Sequence, residues 1–296
     1  MTENERQAVI ATMLRVKPDE AIIAIKTIAG GLSNKSFHVT TDKAEYFVRL
    51  PGSTAQSLID RKNEKAITFL VNDLDIDAKL YFFDDDAGIK VSEYLSNAIM
   101  TTTEDFLDDN ITFLAGKTFK KLHSAGFSNA MIFDTRGMLR TYEKAIQDHA
   151  NQGFKLYDDY ADMKIRVFKL MNDFKPSKLV LCHNDAAQTN WMKAPGRIYL
   201  IDWEFAGMND PMWDLADLSI EANFNDHQDD VLLKSYFATD NVESMKQAML
   251  ANKIYIDFVW STWGKVMSIN DGSSMEEYAL NRYIRMKANM QKAGIL

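Results

Sequence analysis

A chain of 296 residues, 46% of them apolar, is long enough to bury a sizeable core as two domains or one large two-lobed one. Its 34 basic residues face 42 acidic ones, and the net charge of −8 argues against nucleic acid as a partner while leaving a small cation welcome. A single cysteine, Cys182, permits no internal disulfide and no cysteine-built metal cage; no stretch approaches 18 consecutive apolar residues, and residues 1–6 have neither the basic start nor the apolar run of a signal peptide. The expectation is a cytoplasmic protein, not inserted in a membrane, whose metal would be held by oxygen.

In chain order, residues 1–15 read as a short helix, followed by β-rich stretches at 21–28, 36–40 and 45–50, the last closed by Pro51-Gly52. Between the first two lies Gly30-Gly31-Leu32-Ser33-Asn34-Lys35, a turn rich in Gly, Ser and Asn. Apolar residues recurring over 58–71 predict an amphipathic helix, and strands at 78–83 and 88–94 complete a β-rich lobe that ends near residue 95, with a linker over 93–97. From there the pattern is helical. Thr101-x-x-Glu104 has the form of a capping box opening a helix to His123, and further helices are expected at 139–150 and 157–173. Two short buried strands, 178–182 and 197–201, flank a polar loop, and helices resume after Pro211. The fold class is therefore α+β, with a β-rich N-lobe (1–95) and a mainly helical C-lobe (96–296).

The polar loop reads Leu181-Cys182-His183-Asn184-Asp185-Ala186-Ala187-Gln188-Thr189-Asn190, and twelve residues after Asn190 comes Asp202, within Ile201-Asp202-Trp203-Glu204. Phosphoryl transfer from ATP needs a carboxylate to orient the attacking hydroxyl and accept its proton, and oxygen ligands that hold Mg2+ against the phosphates. Asp185 suits the first role. Asn190 and Asp202 suit the second, and His183 reads as a support for the loop.

His183-x-Asp185-x-x-x-x-Asn190 followed by a strand ending in Ile201-Asp202 resembles the signature of the choline kinase and aminoglycoside phosphotransferase superfamily, over most of the chain. The resemblance implies a two-lobed protein-kinase-like fold with ATP between the lobes. It makes residues 30–34 a phosphate-covering loop, with Ser33 and Asn34 at the nucleotide. It also sets Arg49, in the third strand, in the place of the protein-kinase lysine, with Glu64 as its partner. Glu93, Tyr94 and Leu95 fall where the family's hinge meets adenine. Taken singly, a Gly-Gly turn, an arginine and a glutamate are ordinary surface features.

The segment 202–216 looks closest to bacterial choline kinases of the Lic type. That narrower resemblance implies that Asp214 braces the catalytic loop, that Glu204 and Glu221 face the substrate, and that Trp260, Trp263 and Tyr278 cage its cation, with Met275 where relatives often carry another aromatic residue. A quaternary ammonium has no N–H to donate, so its site must be made of ring faces and nearby carboxylates. Trp260 and Trp263, three apart on a predicted helix, are neighbours on one side; by spacing alone core packing is the usual reason for such a pair, and a solvated helix surface is the alternative for Glu221. The expected reaction turns choline and ATP into phosphocholine and ADP. Kinases for ethanolamine, thiamine or aminoglycosides are the rivals, as is a non-catalytic pseudokinase, although the chain keeps both Asp185 and Asp202.

Overall fold

The computed structural model describes residues 1–28, 34–52, 60–128 and 130–296, so the glycine turn, with Ser33, lies outside the described residues. The chain divides into two compact units, one of Met1–Thr102 with Thr189–Ala206 and the other of Thr103–Gln188 with Gly207–Leu296. Its elements run α1 (Glu3–Val16), β1 (Ile22–Ile28), β2 (Asn34–Thr41), β3 (Glu45–Pro51), α2 (Arg61–Asp73), β4 (Leu80–Asp84), β5 (Ile89–Glu93) and β6 (Ile99–Met100). Then come α3 (Asp109–His123), α4 (Thr135–Asp148), α5 (Tyr160–Asp173), β7 (Val180–Cys182), β8 (Trp191–Ala194), β9 (Arg197–Leu200), β10 (Gly207–Asn209), α6 (Pro211–Glu221), α7 (Asp226–Phe237), α8 (Glu243–Asp271) and α9 (Ser273–Lys292).

In the first unit five antiparallel strands are ordered β1-β2-β3-β5-β4. The two-residue period of a strand sends Phe37 and Val39 of β2 and Tyr46, Val48 and Leu50 of β3 to one core, closed by Val9 and Met13 of α1. The same period turns Arg49 to the opposite side. There α2 presents its buried face, Glu64, Ile67, Thr68 and Val71, at the i, i+3, i+4, i+7 spacing of a single helical stripe. Asp60 caps this helix by accepting from the N–H groups of Lys62 and Asn63 at 3.0 and 2.9 Å.

Three expectations need correction. Residues 191–194, read above as part of the polar loop, form β8, which pairs with both β6 and β9 and so ties 189–206 to the first unit rather than to the helical one expected from composition. No α-helix opens at Thr101, whose hydroxyl donates to Trp191 O at 3.2 Å. A 3-10 turn, Glu104–Leu107, follows, and α3 starts only after Asp108, which accepts from Asn110 N–H at 2.9 Å. Finally, α4 begins at Thr135 rather than 139, since Asp134 supplies its cap.

In the second unit α6 is buried along its length from Met212 to Ile220. Asp210 at its N-cap and Pro211 in its first position start the helix where the chain leaves β10, which pairs with β7. The chain turns from α8 into α9 at Gly272, in the left-handed region at φ 73°. Gly264 allows the two helices to approach: a Cβ there would stand 2.9 Å from Tyr278 Cδ1 and 3.2 Å from Ala279 Cα. Among the described residues no helix is long and apolar enough to cross a membrane.

Candidate active site

In the second unit the polar loop that follows β7 hangs on carboxylates. Asp214 of α6 accepts from His183 N–H and Asn184 N–H, both at 2.8 Å, and Asp217, one turn on, accepts from Ala186 N–H at 2.6 Å. The brace expected at Asp214 is thus present, and its neighbour Asp217 extends it. His123 holds Asp214 at 2.9 Å through Nε2 and meets the Tyr236 hydroxyl at 2.9 Å through Nδ1. Cys182 lies within 4.8 Å of the same groups, but with both imidazole nitrogens hydrogen-bonded the cluster is a structural knot rather than a metal site.

Asn184 adopts a left-handed backbone, φ 68°, which asparagine tolerates better than most residues. Trp213 Nε1 donates to its carbonyl at 3.2 Å and Asn209 Nδ2 to its side-chain oxygen at 2.9 Å, and these bonds keep the strained residue in place. His183 supports the loop as expected, its Nδ1 accepting from Asp185 N–H at 3.3 Å. Asp185 itself is half-buried. Asp217 is buried, and burial drives its carboxyl well above the usual range, with Glu221 and Asp185 adding to the effect.

The aromatic set stands in the same unit. Trp260 and Trp263 meet edge-to-face with centroids 6.0 Å apart, and Trp263 meets Tyr278 of α9 likewise at 5.8 Å. The other three tryptophans, Trp191, Trp203 and Trp213, are fully buried, whereas Trp260 and Trp263 keep part of their rings exposed. Next to them Glu221, the last residue of α6, pairs with Arg282 of α9, whose guanidinium carbon lies 4.7 Å from the centroid of the Tyr278 ring. Asp257 receives Arg282 at 3.2 Å and Arg285 through two bonds of 2.7 Å.

The first unit assembles a second network. Arg49, 3% exposed, pairs at 2.5 Å with Glu64, which is fully buried, and Arg61 reaches the other Glu64 oxygen at 2.7 Å. Arg61 also donates to Asn34 Oδ1 at 3.2 Å, and Asn34 Nδ2 donates to Glu204 at 3.2 Å. Burial opposes the Glu64 charge, but the Arg49 guanidinium beside it holds the carboxyl below its ordinary value. The Nε and Nη2 of Arg49 have no hydrogen-bond partner among the described residues.

Asp202 lies 3.9 Å from Arg49 and is itself left-handed, at φ 67°. Asn190 sits beside it in the chain's pairing, its carbonyl accepting from Ile201 N–H at 2.9 Å. Glu204 is pushed up to about 7 by burial, with Asp202 contributing. At the end of the sheet Glu93 N–H donates to Lys79 O and Tyr94 N–H to Glu45 O, while Tyr94 stacks on His38 at 3.6 Å. Leu95 O accepts from Ala98 N–H at 3.0 Å.

Four participants escape a reading by motif: Arg61, Asp217, Asp257 and Arg282. Helical spacing contained a signal for three of them, since Arg61 precedes Glu64 by three, Asp217 stands between Asp214 and Glu221 on one face of α6, and Arg282 follows Tyr278 by four. Asp257, buried in mid-α8, has no such marker.

The family model described as choline/ethanolamine kinase matches residues 25–290. This chain belongs to that family, and it is an ATP-dependent phosphotransferase with the β-rich N-lobe and helical C-lobe of the kinase-like fold. It is similar to LicA of Haemophilus influenzae, 24% identical over 260 residues that cover 86% of this chain and 76% of that one. The crystal structure of the choline kinase LicA from Streptococcus pneumoniae matches with a TM-score of 0.79 and 27% identity, covering 98% of this chain and 100% of the other. A structure of LicA in complex with AMP matches with a TM-score of 0.77 and 27% identity, over 99% of each chain.

Proposed function

We propose that this protein transfers the γ-phosphate of ATP to the hydroxyl of choline, giving phosphocholine and ADP. The observation that carries the choline assignment is the trio of Trp260, Trp263 and Tyr278: rings in mutual contact, two of them indoles kept partly exposed in a protein that buries its other tryptophans. Such faces attract a cation that has no N–H to offer. The LicA neighbours, one a choline kinase and one holding AMP, support the same reading.

The donors suit the proposed cofactors. Asn190 and Asp202 offer only oxygen, the ligand class Mg2+ requires, and the bond from Ile201 N–H to Asn190 O keeps the two segments adjacent. Mg2+ bound there would neutralise charge on the ATP phosphates. Arg49, fixed by Glu64, offers its two unpartnered nitrogens to phosphate oxygens, in the forked geometry that suits guanidinium. Asn34 lies at the phosphates, with Ser33 outside the described residues, Leu95 N–H serves the adenine beside Glu93 and Tyr94, and Glu204 and Glu221, the latter paired with Arg282, face the cationic alcohol. Asp185 orients the choline hydroxyl and takes its proton as the new P–O bond forms and the bond to ADP breaks. Held on Asp214, Asp217 and His183, it needs little reorganisation to do so. An ATP-consuming enzyme with one buried cysteine fits the cytoplasm.

Steady-state ATP turnover with choline, ethanolamine, thiamine and kanamycin tests the assignment. The highest kcat/KM is expected for choline, and a clear preference for any of the other three would replace it.

A further inference from the structure

Glu221, a carboxylate close enough to Tyr278 to act on it electrostatically, is already engaged by a cation of the protein itself. Arg282, 6% exposed, pairs with it, reaches Asp257 at 3.2 Å and lies against the Tyr278 ring. Arg285 completes Asp257 with two further bonds. Two carboxylates and two guanidinium groups thus balance before any ligand enters.

That balance treats the two alcohols of this family differently. The trimethylammonium of choline donates no hydrogen bonds, so a carboxylate already occupied by Arg282 costs it only a weaker charge, while the ring faces remain. Ethanolamine brings an ammonium with three donors, each of which needs an acceptor once water is excluded. Glu221 is an acceptor at hand, and Arg282 occupies one of its oxygens and offsets its charge. We propose that Arg282 is a specificity-determining residue: by engaging Glu221 it weakens the acceptor a primary ammonium needs and biases the pocket toward a quaternary one. This inference rests on the reading of Trp260, Trp263 and Tyr278 as the cation site.

The test is kcat/KM and KM for choline and for ethanolamine in the wild type, Arg282→Gln, Glu221→Gln and the double variant, with thermal melts to confirm folding. Asp257 keeps its bonds to Arg285 in Arg282→Gln. The choline preference should fall about tenfold, chiefly through a lower KM for ethanolamine, because one charge-assisted hydrogen bond is regained. The double variant should restore the preference, an outcome that loss of packing alone would not produce. A preference that stays within about threefold of wild type in folded Arg282→Gln, or that falls only because choline is lost, overturns the proposal. Glu221→Gln gives an answer even if Arg282→Gln does not fold. Choline and ethanolamine should suffer alike, whereas a loss confined to ethanolamine would mean that Glu221 already receives the ammonium in the wild type. A wild type that turns over neither alcohol sinks the proposed function instead, whatever the variants do.

Discussion

His123 and Asp214 meet at 2.9 Å under the polar loop that follows β7, and the same carboxylate accepts the N–H groups of both residues that precede Asp185. Asp214→Asn keeps one acceptor oxygen and turns an NH2 group toward a backbone N–H, leaving at least one buried donor unmet. An unmet buried donor costs about 1–3 kcal/mol. Urea unfolding should show a loss of at least about 2 kcal/mol, with kcat down roughly tenfold or more as Asp185 loses its support. Unchanged stability would mean that the loop is held by something else.

Asp217 links the same loop to pH. Its carboxyl is raised by burial, with Glu221 and Asp185 adding and Arg282 opposing. The folded state therefore binds this proton more tightly than the unfolded chain does. Its contribution to stability is fully present below the unfolded value of about 3.9 and is lost as pH rises from there toward the raised folded value. Asp217→Asn can still accept from Ala186 N–H but cannot ionise. Melting temperatures measured from acidic to mildly alkaline pH should decline less steeply with rising pH in the variant than in the wild type, and parallel curves would show that Asp217 stays charged.

Gly264→Ala tests how closely α8 and α9 must pack at the cage. The added methyl would meet Tyr278 Cδ1 at 2.9 Å and Ala279 Cβ at 3.0 Å, so the ring or the whole of α9 must shift. Overpacking of this kind costs about 1–3 kcal/mol, offset by roughly 1 kcal/mol of helix propensity gained. A lower melting temperature and a raised KM for choline with KM for ATP unchanged are expected. A variant with wild-type choline KM would remove Tyr278 from the cation site.

Asp185→Asn and Asp202→Ala separate the proposed base from the proposed metal ligand. Asp185→Asn should lower kcat at least about 100-fold with little change in ATP binding. Asp202→Ala should abolish Mg2+-dependent turnover in a protein that melts close to the wild type, because Asp202 is half-buried and its contact with Arg49 is a long one of 3.9 Å. A loss of ATP affinity alone in Asp185→Asn would reassign that residue.

Much of this was legible because it is local. Period-two alternation in 45–50 sets Arg49 opposite the Val48 core and a single helical stripe brings Glu64 to it, but the resemblance, not the pattern, named the two as partners. The loop from His183 to Asn190 is likewise contiguous. What stayed hidden depends on distant chain meeting distant chain: Thr101 donates to Trp191, Asn34 to Glu204, and Glu221 meets Arg282 across 61 residues of sequence. The left-handed backbones of Asn184 and Asp202 were hidden for a related reason, since Asn and Asp tolerate that region but only their surroundings impose it.

The central claim is that Trp260 and Trp263 present their rings to a quaternary ammonium, and the most direct measurement is KM for choline and for ATP in Trp260→Leu and Trp263→Leu, with circular dichroism as the check on folding. A desolvated cation–π contact is worth about 2 kcal/mol, so each variant should bind choline about 30-fold more weakly and ATP as before. Folded variants that use choline as well as the wild type does would contradict the account and return both rings to packing.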